Sequence, residues 1–566
     1  MNITRAHFAS VLPQVESAIK RASFLAVDCE FSGLHAAEKW HGLQSCQLDP
    51  PALRYLQLRD GVEQFQLMQL GLCTFEDING RLEARPFNIP VYPPHSNSRN
   101  GLDARFAAQA SSLKFLRQHG FDFNAWIDES VPFMNRPQEQ EARRLLEQQM
   151  ERLARNMNEE VVPSRPFDVK YVEELKAKLA EFIANTADGD KATAELQLET
   201  SNSFQRLLAY QEVRRTEVLQ CEKLTQEGKS SRYMTLRVSF AESPVTVEER
   251  IKQSLEIKRA ELEANLQADI GARLVFDLMA ESGKPVVVHN GLLDLMHLYS
   301  AFVEPLPQDP ETWRAKMHSI LPKVVDTKCF IWQNRAVTSD LPSTALSDLA
   351  DSSFCRDQEN VHFADGFDRY DFTFRTAAEQ HIGTDNNAAA HEAGFDAFVT
   401  GAVYAGISAS LDKNDELPSS QEATQKVLNR VNIVFNRYEF PLDCPVSAHN
   451  HDNTLFLSCT MDNQSLTKKL LLEIAQTSLQ RESTEGIYVQ TRSRENAILV
   501  VEDADAAVMA TVAAAFESKT IAAKTFKQWL HETCPPKRER DTDVAETAST
   551  EPPTKKIHEP AVPGAQ

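Results

Sequence analysis

Phe24-Leu-Ala-Val-Asp-Cys-Glu30 places four apolar residues ahead of a D-x-E pair. A run this short and apolar reads as a buried strand. Strand geometry then turns Asp28 and Glu30 to one face. Working outward, Gln64–Thr74 and Pro86–Ile89 read as further strands, joined by a turn at Asn79-Gly80, so the first half predicts an antiparallel meander. A short amphipathic helix precedes it, with Ser10 as its cap and Pro13 in its first turn. Ser111–Phe121 predicts a helix stopped by Gly120. Beyond residue 270 the pattern becomes helix (Ala272–Ser282), strand (Lys284–His289), helix (Gly291–Phe302), and a long helical pattern covers His391–Leu411. The fold class is therefore α/β, shading to α+β.

The chain has 566 residues with 42% hydrophobic and 25% charged, ordinary globular composition. At roughly 150 residues per domain, three or four domains are expected. No run of about 18 to 20 apolar residues is present and the first twenty residues lack a secretory block, so no membrane association is expected. Nine scattered cysteines without C-x-x-C fit neither a disulfide framework nor a zinc ribbon. A formal charge of -21 argues against coating nucleic acid nonspecifically. It leaves open an enzyme that handles one strand end in a cleft loaded with cations.

Five boundaries follow from composition and pattern. Residues 1–165 and 246–411 read as two halves of one domain, split by an inserted helix-and-strand block at 166–245. Residues 412–422 read as a linker. Residues 425–530 give strand–helix–strand–strand–helix–strand, the split βαβ order of an RNA-recognition (RRM) module. Residues 535–566 hold no aromatic and are expected to be disordered.

The chemistry sits on five residues. Two acids ending a buried strand repel each other, and a shared cation resolves this. Taken alone, D-x-E is a weak signal and reads as a solvated strand end. Asp294, in the first turn of a helix, is by itself an acid answering the helix dipole. His391 and Asp396 are five apart, about 140° on an ideal helix, so they converge only if His391 lies in the loop before it. Together these give D-x-E … D … H-x-x-x-x-D. Four carboxylates from three segments suit a pair of Mg²⁺ ions about 4 Å apart, which clamp the attacking and leaving oxygens of a phosphodiester displacement. Asp28, Glu30 and Asp396 are assigned to one ion and Asp28 with Asp294 to the other. His391 is the expected general base.

These residues lie within longer motifs: FLAVDCEFSGL (24–34), RYLQLRDGVEQFQLMQLGLCTF (54–75), QASSLKFLRQHGFDFN (109–124), PVVVHNGLLDLMH (285–297), VVDTKCF (324–330) and HEAGFDAFVTG (391–401). Over roughly residues 1–410 they resemble, in order, the poly(A)-specific ribonuclease group of the DEDDh, CAF-type 3′ exonucleases. The resemblance implies an RNase H-like DEDD exonuclease domain, with metal ligands at Asp28, Glu30, Asp294 and Asp396 and the base at His391. It implies a substrate pocket at Phe31, Leu34, Leu113, Phe115, Asn290 and Lys328. On the residues alone, the first four read as core, and Lys328 suits a phosphate. NSFQRLLAYQ (202–211) resembles a small nucleic-acid-binding module of Arg-xxx-His type, with Tyr210 where the signature has His. A helical spacer is the alternative. The family also implies a homodimer.

The RRM-like region departs from the family. Ala497–Glu502 lacks the aromatics that stack bases. The tryptophan with which animal members grip the 5′ cap has no equivalent: Thr491 falls near that position and Tyr488 is the nearest aromatic. Cap binding is not expected. Lys537-Arg-Glu-Arg540 and Lys555-Lys556 are spaced like a bipartite nuclear import signal, so residence in nucleus and cytoplasm is expected. The expected function is a Mg²⁺-dependent 3′→5′ exoribonuclease that acts on RNA with a 3′ poly(A) tail and releases 5′-AMP. The alternatives are a trimmer of small noncoding RNA 3′ ends and a catalytically inactive RNA-binding scaffold.

Overall fold

The computed structural model describes residues 1–34, 45–94, 104–224, 234–242, 244–356, 360–367, 391–446, 451–459 and 465–533. The loop expected at 385–390 and both basic clusters of the tail lie outside them. The chain forms two compact units, Met1–His449 and Asn450–Gln566.

In the larger unit, β1 (Phe24–Phe31), β2 (Leu67–Ile78) and β3 (Arg81–Pro90) form the antiparallel meander expected from sequence. Asn79 and Gly80, with φ of 56° and 83°, make its tight turn. The first helix runs Arg5–Arg21 and is capped at Thr4, not Ser10, so Pro13 lies inside it. Ser10 Oγ instead donates to the His7 carbonyl 2.8 Å away. Pro13 is tolerated because Ala9, whose carbonyl loses its partner, faces solvent.

Two long helices, Arg136–Asn158 and Val247–Ile270, then leave and re-enter this unit. Arg259 of the second pairs with Glu147 of the first, and Arg273, just past the end of the second, pairs with Glu139 near the start of the first, so they run antiparallel. Between them lies a small module in which β4 (Glu195–Thr200), β5 (Leu219–Leu224) and β6 (Met234–Phe240) pair in the order β4-β6-β5. Helices Pro166–Asn185 and Ser203–Arg215 pack on them through Leu175, Leu179, Val213 and Leu236. The chain then adds β7 (Val286–Val288), β8 (Val324–Asp326) and β9 (Val361–Phe363), completing a sheet of order β8-β7-β1-β2-β3-β9.

Alternation along β1 divides the core. Leu25, Val27 and Cys29 face one cluster, while Phe24 and Ala26 face the other with helix Ala393–Asp412. That helix is apolar nearly all round and buried accordingly. Asp28 and Glu30 continue the Phe24–Ala26 face, so they project on the side of this helix. Backbone contact there is close. A Cβ on Gly71, which pairs with Asp28, would collide with the Ala393 carbonyl.

Only the end of the expected linker is helical: residues 413–419 are turns and irregular chain, and Ser420–Val427 is a capped helix. A hairpin of β10 (Arg430–Asn432) and β11 (Glu439–Pro441) follows, and Val431 and Phe440 belong to the core of the larger unit. The smaller unit therefore begins near residue 450 and not at 425.

In the smaller unit β12 (Thr454–Ser458), β13 (Ile487–Thr491), β14 (Asn496–Val501) and β15 (Ala522–Thr525) pair in the order β13-β14-β12-β15. Helices Lys468–Ser478 and Ala506–Glu517 cover one face through Leu455, Leu457, Leu499 and Phe516. A final helix, Phe526–Thr533, stacks Trp529 on Phe456 of the other face, 4.3 Å between centroids.

Candidate active site

Asp28 and Glu30 enter from β1, Asp294 from the first turn of helix Leu292–Phe302, and Asp396 from the first turn of Ala393–Asp412. Asp294 and Asp396 are each 8% exposed. Burial, then the charges of Asp396, Asp294 and Glu30, push the Asp28 carboxyl well above its ordinary range. Burial, Asp396 and Asp294 do the same to Glu30. Burial raises Asp294 and Asp396 to about 7. The four carboxylates thus lie within electrostatic reach of one another. Ligating atoms of Glu30, His391 and Asp396 all fall within 4.8 Å of one another.

His391 stands outside the helix, as convergence with Asp396 requires. Its φ is 67°, and its backbone N–H donates to Asp396 Oδ2 at 3.1 Å. The left-handed backbone points the ring back over the helix start. Phe115 and His119 meet that ring edge-on, centroids 4.4 and 4.3 Å away. Burial and the neighbouring His119 hold its pKa down at about 4, so it is neutral near pH 7.

Two further side chains anchor this helix start. Gln69 Oε1 accepts the Ala393 N–H and Asn88 Oδ1 accepts the Gly394 N–H, both at 3.3 Å. Its own backbone amide and the neighbouring Cys29 offset part of the rise in pKa at Asp294. Its turn is fixed by Asp326, a fully buried carboxylate. Asp326 accepts backbone N–H groups from Asn290 (3.1 Å), Gly291 (3.0 Å), Lys328 (2.9 Å) and Asn432 (3.1 Å). Gln69, Asn88 and Asp326 lie in stretches quoted above, but nothing in the sequence singles them out as site residues. Each acts through contacts 36 to more than 300 residues away or through backbone amides, which leave no local pattern.

The substrate-pocket positions fall in three places. Phe31 is buried and stacked on His297, centroids 4.1 Å apart. Leu34 is exposed, and its N–H donates to Gln109 Oε1 at the start of the helix carrying half-buried Leu113 and exposed Phe115. Asn290 and Lys328 share the Asp326 hub. Arg206 and Tyr210 lie one turn apart on the module's helix.

The donor set fits divalent cations. Four carboxylates clustered in low dielectric repel one another, and hard oxygen ligands suit Mg²⁺ or Mn²⁺. A pH dependence follows. An acid whose pKa is raised by folding binds its proton in the native state first, so the metal-free protein loses stability as pH rises through about 7. Cations compete with those protons. Mg²⁺ at a hundredfold its Kd should therefore stabilise the protein by about 2.7 kcal/mol at pH 8. Differential scanning fluorimetry should show the Tm gain shrinking toward pH 6. A gain equal at both pH values would contradict this.

A sequence profile described as CAF1 family ribonuclease matches residues 3–404. Among curated proteins, "Poly(A)-specific ribonuclease PARN" of Xenopus laevis is 30% identical over 71% of this chain and 62% of its own. The proteins of the same name from Homo sapiens and Arabidopsis thaliana are 30% and 27% identical, over 71% and 80% of this chain and 61% and 70% of theirs. This chain thus spans about three fifths of the Xenopus and human relatives. The match covers both halves of the six-stranded sheet and every acid of the cluster: the chain belongs to the CAF1 family of ribonucleases.

Proposed function

We propose that this chain is a metal-dependent 3′→5′ exoribonuclease that shortens poly(A) and releases 5′-AMP. The convergence of Asp28, Glu30, Asp294 and Asp396 beside a neutral His391 carries the reading. The printed names of the relatives support the poly(A) preference.

The four carboxylates would hold a pair of divalent cations such as Mg²⁺, which would supply charge neutralisation to the phosphodiester and acidify the attacking water. His391 accepts that water's proton. Asp396 fixes His391 through the backbone bond, and Phe115 and His119 restrict its ring. The water oxygen bonds to phosphorus, the bond from phosphorus to the upstream 3′ oxygen breaks, and 5′-AMP leaves. Phe31, Leu34, Leu113, Phe115, Asn290 and Lys328 bind the terminal nucleotides.

The larger unit is read as RNase H-like, the β4–β6 module as the Arg-xxx-His type and the smaller unit as RRM-like. Its βαββαβ order supports the last. Trp529 occupies the sheet face on which such modules stack bases, so this unit positions RNA by other surfaces. A homodimer and shared nuclear and cytoplasmic residence complete the proposal on family likeness and the tail's basic clusters. Among the described residues, no helix is long and apolar enough to cross a membrane.

The test is AMP release by the purified chain from 3′-hydroxyl oligoadenylate, mixed-sequence RNA and a 3′-phosphate-blocked control. Faster release from oligoadenylate and none from the blocked end are expected. Equal rates on both sequences would remove the poly(A) preference, and no release at all would leave a binding scaffold.

A further inference from the structure

Helix Thr327–Gln333 starts at the Asp326 hub, where the Asn290 and Lys328 amides meet. Lys328 and Trp332 are four apart, so they share one face, Trp332 lying about 6 Å farther from the hub. Trp332 is 57% exposed, which is costly for the largest apolar side chain unless something covers it. Arg335, in the next short helix, lays its guanidinium over that indole, 4.4 Å from the centroid. Among the described residues, no carboxylate forms an ion pair with Lys328 or Arg335. Two cations that have no ion pair among the described residues, beside an exposed indole, stand out in a chain of charge -21.

We propose that Lys328, Trp332 and Arg335 form a track for single-stranded RNA leaving the active site, with a base upstream of the scissile bond stacked on Trp332 and the backbone phosphates held by the cations. Charge selects the occupant: lone cations beside an aromatic plane match the alternation of phosphate and base in a nucleic-acid strand. Spacing agrees, since successive stacked nucleotides of one strand advance about 3.4 Å, and 6 Å is reached within two. Indole stacking is tolerant of sequence, so the track adds length preference and leaves base choice to the terminal pocket. Asp326 acts here as a positioning residue, because one carboxylate sets both the start of the track and the turn before Asp294.

The proposal rests on the exoribonuclease reading, but its test does not need turnover. Binding of fluorescein-labelled ten-residue oligoadenylate is measured in EDTA for the full chain. Trp332→Ala should raise Kd about 5- to 100-fold, Arg335→Ala less, and Trp332→Phe should restore most of the affinity. With metal present, Trp332→Ala should raise KM on the ten-mer at unchanged kcat and leave a dinucleotide unaffected. Kd within twofold of wild type for Trp332→Ala would overturn the track, even if AMP is released normally. A raised Kd in a protein that releases no AMP would keep the track and overturn the nuclease. An equal loss on dinucleotide and ten-mer would place Trp332 in the terminal pocket and also overturn the track.

Discussion

Asp28→Asn should lower metal-dependent AMP release by about a thousandfold or more, while oligoadenylate binding in EDTA stays within about twofold of wild type. Asp28 faces Asp396, Asp294 and Glu30, so it is the carboxylate through which both proposed ion positions pass. The isosteric amide keeps the packing of β1 and removes one charge. A thousandfold corresponds to about 4 kcal/mol of lost barrier reduction, a reasonable share for charge neutralisation at a phosphodiester. The same change should raise the metal-free Tm, because a carboxylate whose pKa is raised on folding destabilises the folded state above its unfolded pKa. Loss of activity with a gain in stability separates a functional charge cluster from a structural one. An inactive variant that is also less stable than wild type would point to misfolding.

Asp326→Asn should cost about 2 to 4 kcal/mol of stability and lower kcat about 10- to 100-fold, though Asp326 is assigned to neither proposed ion position. The carboxylate satisfies four buried backbone donors, two on each oxygen. An amide offers one oxygen, so one pair of N–H groups would face an NH₂. The affected groups include the amides of Asn290 and Gly291, which lead into the helix bearing Asp294. Urea denaturation and single-turnover rates measure the two effects. Full stability with full activity would show that water replaces the lost acceptor and that the hub does not position the site.

Legibility in the sequence followed the range of the interaction. Asp28 and Glu30 were readable because period-two alternation alone turns both to one face. His391 and Asp396 were readable because helix geometry allows only one arrangement in which they meet, and the positive φ of His391 provides it. The β12–β15 order was readable from alternating runs separated by amphipathic helices. Ser10 was misread as a cap because Pro13 suggests a first turn, whereas an exposed carbonyl let Pro13 sit within the helix. Residues 412–422 read as a linker and 425 as the start of the next domain because the helix at 420–427 is short and the strands after it have three residues each. Only tertiary contacts of Val431 and Phe440 bind them to the larger unit. Gln69, Asn88, Asp326 and Trp529 share that difficulty, since each has a role that exists only once remote segments meet.

The central claim is that remote acids form one site for a pair of divalent ions. Manganese titration of the full chain, followed by electron paramagnetic resonance, tests it most directly. Two ions per chain with the exchange-coupled signal of neighbours about 4 Å apart are predicted, and Asp28→Asn should abolish the coupling. A single uncoupled ion, or a titration that Asp28→Asn leaves unchanged, would contradict it.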